Sequence, residues 1–167
     1  MKNYLVEFIG TFFLVLVIGL TVIEPGNGVI APLAIGFTLM VMVYAGGHLS
    51  GGHYNPAVTL GVWIRGKCPS RDVLPYMVSQ ILGGLVAAQA VLFLKSDASI
   101  TAGSPQAAPA LLVEFLFTLA LVYVVLNTTT SENNQGNSYY GLAIGSTIMV
   151  GAFAGGSISG GVFNPAV

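Results

Sequence analysis

The amino-acid sequence predicts an all-α membrane protein that is built as an inverted repeat. Two observations predict this fold class. Only 7% of the residues are charged, 54% are hydrophobic and the mean hydropathy is +0.84, whereas soluble domains have roughly 25% charged residues. The block 33–58 also returns at 142–167 without a gap, with 17 of 26 positions identical. The chain therefore contains one structural unit twice, and it belongs in lipid.

Five apolar stretches are long enough to be membrane helices, because a helix needs about 20 residues to cross the hydrocarbon core. The first stretch is too long for a secretory signal peptide and no polar mature domain follows it, so we interpret it as a membrane helix. All five belong to one domain, residues 1–167, in which repeat one covers 1–94 and the incomplete repeat two covers 108–167. The stretches are residues 4–23, 31–47, 73–94, 110–127 and 139–156.

The basic residues predict the orientation of the chain. Lys2, Arg65, Lys67 and Arg71 lie before the first stretch or after the second, which places all four on one side of the membrane. The positive-inside rule makes this side the cytoplasm, and only Lys95 falls on the other side. We expect a multi-pass protein of the plasma (inner) membrane with a cytoplasmic N-terminus. The net charge of −1 gives no reason to expect a nucleic-acid partner.

Each repeat has three crossings, an odd number, so the second repeat enters the membrane from the opposite face. Residues 56–64 are apolar but span only about 13 Å as a helix, too short to cross the bilayer. Asparagine is a favoured N-cap and proline is favoured at the first helical position. Asn55-Pro56 and Asn164-Pro165 are therefore predicted to start two half-helices that approach each other from opposite sides.

The glycine-rich residues before each half-helix, 48–53 and 157–161, are predicted to be extended or irregular backbone rather than helix. Such backbone persists at membrane depth only where it is buried in protein or lines a water-filled path. We therefore expect a polar conduit. The residues expected to line it with their backbone are Gly51, Gly52, His53, Ser159 and Gly160.

The chemistry of this arrangement suits small neutral solutes. Two half-helix N-termini near the bilayer centre each carry about half a positive elementary charge, which repels cations. The amides of Asn55 and Asn164 can donate hydrogen bonds to a solute oxygen, while glycine carbonyls accept from the solute. The pattern predicts a passive path for water and other neutral solutes that excludes ions and protons.

Taken together, these features resemble the major intrinsic proteins, or aquaporins, over essentially the whole chain. The resemblance rests on the paired Asn-Pro-Ala boxes, on the stretch SGGHYNPAVT, on Glu-Phe-x-x-Thr at Glu7 and Glu114, and on Ala-Ile-Gly in the second and fifth helices. It implies six membrane helices around one pore, with two half-helices meeting at its middle, and a homotetramer of independent channels. The boxes are Asn55, Pro56 and Ala57, and Asn164, Pro165 and Ala166.

The resemblance also implies roles for particular residues. It places the selectivity constriction at Ile35, Ala152, Gly161 and Val167. Water-selective members are similar to one another in carrying phenylalanine, histidine and arginine at three of these positions, and this chain has none of them. We therefore expect a wider ring that discriminates by size.

The same resemblance implies that Glu7 and Glu114 are buried acids that accept hydrogen bonds from loop N–H groups. A proton relay is the alternative, because ionisable groups inside membrane helices are commonly functional. No cofactor is expected. No metal site is predicted either, because the only histidines, His48 and His53, are not accompanied by a cysteine or carboxylate cluster.

Repeat symmetry predicts that a full-length chain has roughly 205 residues, so that the second half-helix and the sixth membrane helix are missing here. Two other functional classes stay open. A coupled secondary transporter also uses inverted repeats and broken helices, and a structural membrane protein could keep the fold without conducting. An enzyme is not expected, since no nucleophile and base pair is evident.

Overall fold

The computed structural model describes residues 1–26, 28–98, 100 and 103–167. The described residues form six α-helices and two short 3₁₀ turns, Gly28–Ile30 and Glu132–Asn134. The helices are α1 (Lys2–Val22), α2 (Ala31–Ser50), α3 (Pro56–Ile64), α4 (Ser70–Leu94), α5 (Ala107–Thr129) and α6 (Tyr140–Ser159). All except α3 are long and apolar enough to cross a membrane. The prediction of an all-α, multi-pass integral membrane protein is confirmed.

The helices pack in an order that follows the two repeats. α1 packs against α4 and α2, while α5 packs against α6, and the contact between α2 and α6 joins the repeats. The short helix α3 lies between α4 and α5, and it covers the nine residues that the sequence predicted for the half-helix.

The contact between α2 and α6 depends on two glycines at equivalent positions of the repeats. A Cβ atom on Gly36 would lie 2.7 Å from the carbonyl oxygen of Gly145, and a Cβ atom on Gly145 would meet the carbonyl oxygen of Gly36. Small residues allow such close backbone approach between membrane helices. The repeats therefore meet backbone to backbone.

One prediction about the glycine-rich segments is wrong. α2 continues to Ser50 and α6 to Ser159, so residues 48–50 and 157–159 are helical rather than irregular. These six residues contain no glycine, and the glycines that prompted the prediction, at 51–52 and 160–161, follow the helix ends. The helices end one residue later, where Gly51 and Gly160 adopt left-handed φ angles of 92° and 99°. Ser159 is thus the last residue of a helix and not part of an irregular backbone segment.

We predict that Gly83→Ala in α4 lowers the stability of the fold by about 1–3 kcal/mol, since overpacking forces the backbone apart. Its Cβ atom would lie 2.5 Å from the carbonyl oxygen of Phe8 and 3.2 Å from the backbone nitrogen of Phe12. Gly156→Ala in α6 is the control, because its Cβ atom would meet nothing within 4 Å. Thermal unfolding in detergent measures both. Equal midpoints for the two variants would contradict the close packing of α1 on α4.

Candidate functional site

The two Asn-Pro-Ala segments are joined directly by a reciprocal pair of hydrogen bonds. Asn55 Nδ2 donates to the carbonyl oxygen of Phe163 at 2.8 Å, and Asn164 Nδ2 donates to the carbonyl oxygen of Tyr54 at 3.0 Å. Each amide thus binds the residue that immediately precedes the other asparagine. Both asparagines are buried. Sequence reasoning brought the segments together but missed these bonds, which occupy one of the two N–H groups of each amide.

The same asparagines also start the helical turns that follow them. Asn55 Oδ1 accepts from the backbone nitrogens of Ala57 at 2.8 Å and Val58 at 3.4 Å, which makes it the N-cap of α3. Asn164 Oδ1 accepts from the backbone nitrogen of Ala166 at 3.0 Å. Because oxygen and nitrogen of each amide are both bound, the orientation of the two side chains is fixed.

The backbone before each asparagine repeats the same unusual conformation. Gly52 and Gly161 have φ angles of 64° and 67°, and Tyr54 and Phe163 have φ angles of 50° and 48°. A positive φ is uncommon for residues other than glycine, especially bulky ones. This conformation turns the carbonyl groups of Tyr54 and Phe163 toward the opposite asparagine amide.

The aromatic rings of Tyr54 and Phe163 hold these strained residues in place. Both rings are about 99% buried, and each packs where glycines leave room beside it. The contacting glycines are Gly10 and Gly46 for Tyr54, and Gly151 and Gly155 for Phe163. An aromatic residue before asparagine in both repeats was the signal in the sequence that could have identified this role.

Glu7 of α1 accepts hydrogen bonds from the first loop, the segment between α2 and α3. One carboxylate oxygen accepts from Ser50 Oγ at 2.6 Å and the backbone nitrogen of His53 at 3.0 Å. The other accepts from the backbone nitrogen of Tyr54 at 2.7 Å and from Gln80 Nε2 at 2.7 Å. Glu7 is fully buried, and four donors surround its carboxylate. Sequence reasoning did not identify Gln80, which lies in α4.

Glu114 of α5 accepts hydrogen bonds from the second loop, the segment that follows α6, but has fewer partners than Glu7. Its carboxylate accepts from Ser159 Oγ at 2.5 Å and from the backbone nitrogens of Val162 at 3.2 Å and Phe163 at 2.7 Å. The expectation that Glu114 is buried is wrong, since it is only half-buried. In the described part of the chain α5 packs mainly on α6 and α3, whereas α4 and its Gln80 cover Glu7.

A cavity of about 390 Å³ lies on one side of the asparagine pair. Asn55 and Asn164 line it, together with Gly52, His53 and Gly160. The four residues predicted for the constriction, Ile35, Ala152, Gly161 and Val167, line the same cavity. Most other lining side chains are aliphatic, among them Leu14, Ile18, Leu39, Leu121, Ile144 and Ile148. Pro56, Ala57, Ser159, Pro165 and Ala166 are not among its lining residues.

A second cavity has a volume of about 740 Å³. Its wall is more polar and includes Lys67, Asp72 and the threonines at 128–130. Gly51 and His53 also line it, and His53 is thus shared by both cavities. Within the described residues no group of three or more His, Cys, Asp or Glu side chains could hold a metal ion.

A family model described as major intrinsic protein matches residues 1–167. The chain belongs to the major intrinsic protein family. It is 37% identical to glycerol uptake facilitator protein-like 6 of Lactiplantibacillus plantarum over 99% of this chain and 81% of that protein. It is 36% identical to aquaporin NIP1-4 of Oryza sativa subsp. japonica over 99% of this chain, but spans only 64% of that relative's length.

The fold comparison agrees with the family assignment. The X-ray structure of the aquaglyceroporin from Plasmodium falciparum matches with a TM-score of 0.80 at 20% identity, covering 99% of this chain and 76% of that chain. At this identity the match shows the fold alone. The family resemblance that the sequence indicated, and the fold expected from it, are confirmed.

We predict that Glu7→Gln destabilises this major intrinsic protein by about 3 kcal/mol and Glu114→Gln by about 1 kcal/mol, because in either orientation the amide nitrogen would face at least one N–H group that can only donate. Both Glu7 oxygens have two donors, whereas one Glu114 oxygen has a single donor and lies nearer the surface. Glu132→Gln at an exposed position is the control. Thermal unfolding in detergent ranks the three variants. An equal loss in Glu7→Gln and Glu132→Gln would contradict the role of Glu7.

Proposed function

We propose that this major intrinsic protein forms a passive channel for water and other small neutral solutes and excludes ions and protons. The observation that carries the proposal is the buried Asn55 and Asn164 pair, which lines a cavity of about 390 Å³ that shares His53 with a second cavity of about 740 Å³. Polar groups converge there in a wall that is otherwise mostly aliphatic. A solute in the first cavity meets these groups.

The asparagine amides provide the solute with donors. Each Nδ2 carries two N–H groups, and one of them is bound to the carbonyl oxygen of Phe163 or Tyr54. The other can donate to a solute oxygen, which replaces a hydrogen bond lost from water. A water molecule that accepts from both amides directs its own protons away from the pair. This orientation interrupts the hydrogen-bonded chain along which protons would move.

Cations find no comparable compensation at the pair. The Oδ1 atoms of Asn55 and Asn164 are already bound by backbone N–H groups and cannot replace hydration oxygens. Asn55 also marks the N-terminus of α3, where the helix dipole amounts to about half a positive charge. Both features oppose a sodium ion or hydronium and leave a neutral solute unaffected.

The constriction that we assign to Ile35, Ala152, Gly161 and Val167 contributes no hydrogen-bonding side chain to the cavity wall. Discrimination there depends on width and on backbone carbonyls, so solutes larger than water should pass. The names of two relatives, a glycerol uptake facilitator and an aquaporin, support water and glycerol as the first solutes to test. We further propose a homotetramer in the plasma (inner) membrane with a cytoplasmic N-terminus.

Stopped-flow light scattering of proteoliposomes tests the proposed function. Osmotic water flow should exceed that of empty vesicles, and glycerol and urea should enter without any ion gradient. Asn55→Asp and Asn164→Asp should raise cation leakage, because a carboxylate offsets the local positive dipole. Flux that needs a sodium or proton gradient would instead indicate a coupled transporter. Water flow no faster than in empty vesicles would indicate a structural role.

We predict that Val167→Arg lowers the ratio of urea to water flux at least about tenfold, because the guanidinium narrows the ring and adds five donors. Val167→Met is the matched control, since it adds length without charge or donors. The measurement compares both fluxes in the same proteoliposome preparation. If Val167→Arg leaves the ratio at the value of the unchanged protein, the constriction does not include Val167.

A further inference from the structure

His53 occupies the junction of the two cavities, and its side chain has two different surroundings. Its Nδ1 lies 3.1 Å from Thr59 Oγ1. Its Nε2 lies beside Gly51, since a Cβ atom on that glycine would be 3.0 Å away, and Gly51 lines the second cavity. His53 is 93% buried in protein. One ring nitrogen therefore contacts Thr59, and the other lies beside Gly51, which lines the second cavity together with His53.

The Thr59 hydroxyl has three partners, all at hydrogen-bonding distance. Gln80 Nε2 lies 2.9 Å from Thr59 Oγ1, the carbonyl oxygen of Asn55 lies 3.1 Å away, and His53 Nδ1 is the third. Thr59 and Gln80 are fully buried. A hydroxyl has one proton to donate and two lone pairs with which to accept. The three partners therefore determine one another's roles.

The orientation of Gln80 is fixed from its other side. Its Nε2 also donates to Glu7 at 2.7 Å, so the amide cannot flip without turning its oxygen toward a carboxylate. Its Oε1 is buried without a protein partner among the described residues. An unsatisfied buried acceptor costs free energy. The orientation with Nε2 toward Glu7 and Thr59 accepts this cost and keeps two hydrogen bonds. Gln80 is therefore a donor to Thr59.

The proton of Thr59 then has two possible destinations. If it goes to the Asn55 carbonyl, His53 must carry its proton on Nδ1 and donate it to Thr59, and three hydrogen bonds form. If it goes to His53 Nδ1, the bond to the Asn55 carbonyl is lost and two remain. The net value of one hydrogen bond corresponds to a population ratio of roughly fivefold. The count favours the tautomer with a proton on Nδ1.

We propose that Thr59 holds His53 in the Nδ1–H tautomer, so that Nε2 is a hydrogen-bond acceptor directed into the conduit. Thr59 is a positioning residue, and its hydroxyl is held by Gln80 of α4, which in turn is held by Glu7 of α1. Only the consequence for transport depends on the proposed function. A solute leaves the two donors of the asparagine pair and meets an acceptor, so neutral solutes that carry their own O–H or N–H groups are favoured.

Solid-state ¹⁵N NMR of histidine-labelled protein in lipid tests the proposal, because protonated and unprotonated imidazole nitrogens have distinct shifts. The chain has only two histidines, so His48→Gln leaves His53 as the single source of signal. At about pH 8, Nδ1 should be protonated and Nε2 unprotonated, with magnetisation transfer from water to Nε2. Thr59→Val should shift the tautomer ratio toward Nε2–H roughly fivefold or more, and Thr59→Ser should restore it.

An Nε2–H signal in the protein with Thr59 intact would overturn the proposal, and so would an unchanged ratio in Thr59→Val. Missing transfer from water to Nε2 would overturn the placement of this nitrogen in the conduit. The spectra do not depend on flux. Vesicles that conduct nothing while His53 shows the Nδ1–H tautomer would therefore refute the channel function and leave the role of Thr59 intact.

Discussion

Two non-helical segments lie between the membrane helices, and the polar groups of their backbones need partners where water is scarce. Most of the structure around the site meets this requirement. Glu7 and Glu114 bind the loop N–H groups, and the asparagine amides bind the carbonyls of Tyr54 and Phe163. Because each asparagine binds the opposite loop, neither loop is complete without the other. The functional site is thus a contact between the two repeats.

Among the described residues, Glu7 accepts four hydrogen bonds and Glu114 accepts three. α4 covers the first loop and brings Gln80 to Glu7 and Thr59. A continuous set of hydrogen bonds then runs from a buried acid to His53 at the cavity junction. In repeat two the described residues offer only the three bonds to Glu114. Gln80, which binds Glu7, therefore also binds the Thr59 hydroxyl that we propose determines the tautomer of His53.

Much of the fold could be predicted from the sequence, because its signals are local or repeated. The scarcity of charge and five long apolar stretches require membrane helices. The nine residues after Asn55 are too few to cross, and the Asn-Pro pair specifies a helix start. The repeated block pairs Asn55 with Asn164, and the repeated Glu-Phe-x-x-Thr motif pairs Glu7 with Glu114, before any coordinates are known. The Asn-Pro-Ala motifs, the half-helix α3 and the pair of acids can therefore be predicted from the sequence alone.

Tertiary structure decided what depends on contacts between distant residues. Glycine content predicted irregular backbone at 48–50 and 157–159, yet helix packing extends α2 and α6 to Ser50 and Ser159. The complete burial of Glu7 and the partial burial of Glu114 depend on which helix covers each one. The bonds from the asparagines to Phe163 and Tyr54 span more than 100 residues. The sequence by itself determined which groups need partners in lipid, whereas only the folded chain decided which partner each receives, because hydrogen bonds depend on distance and direction in space.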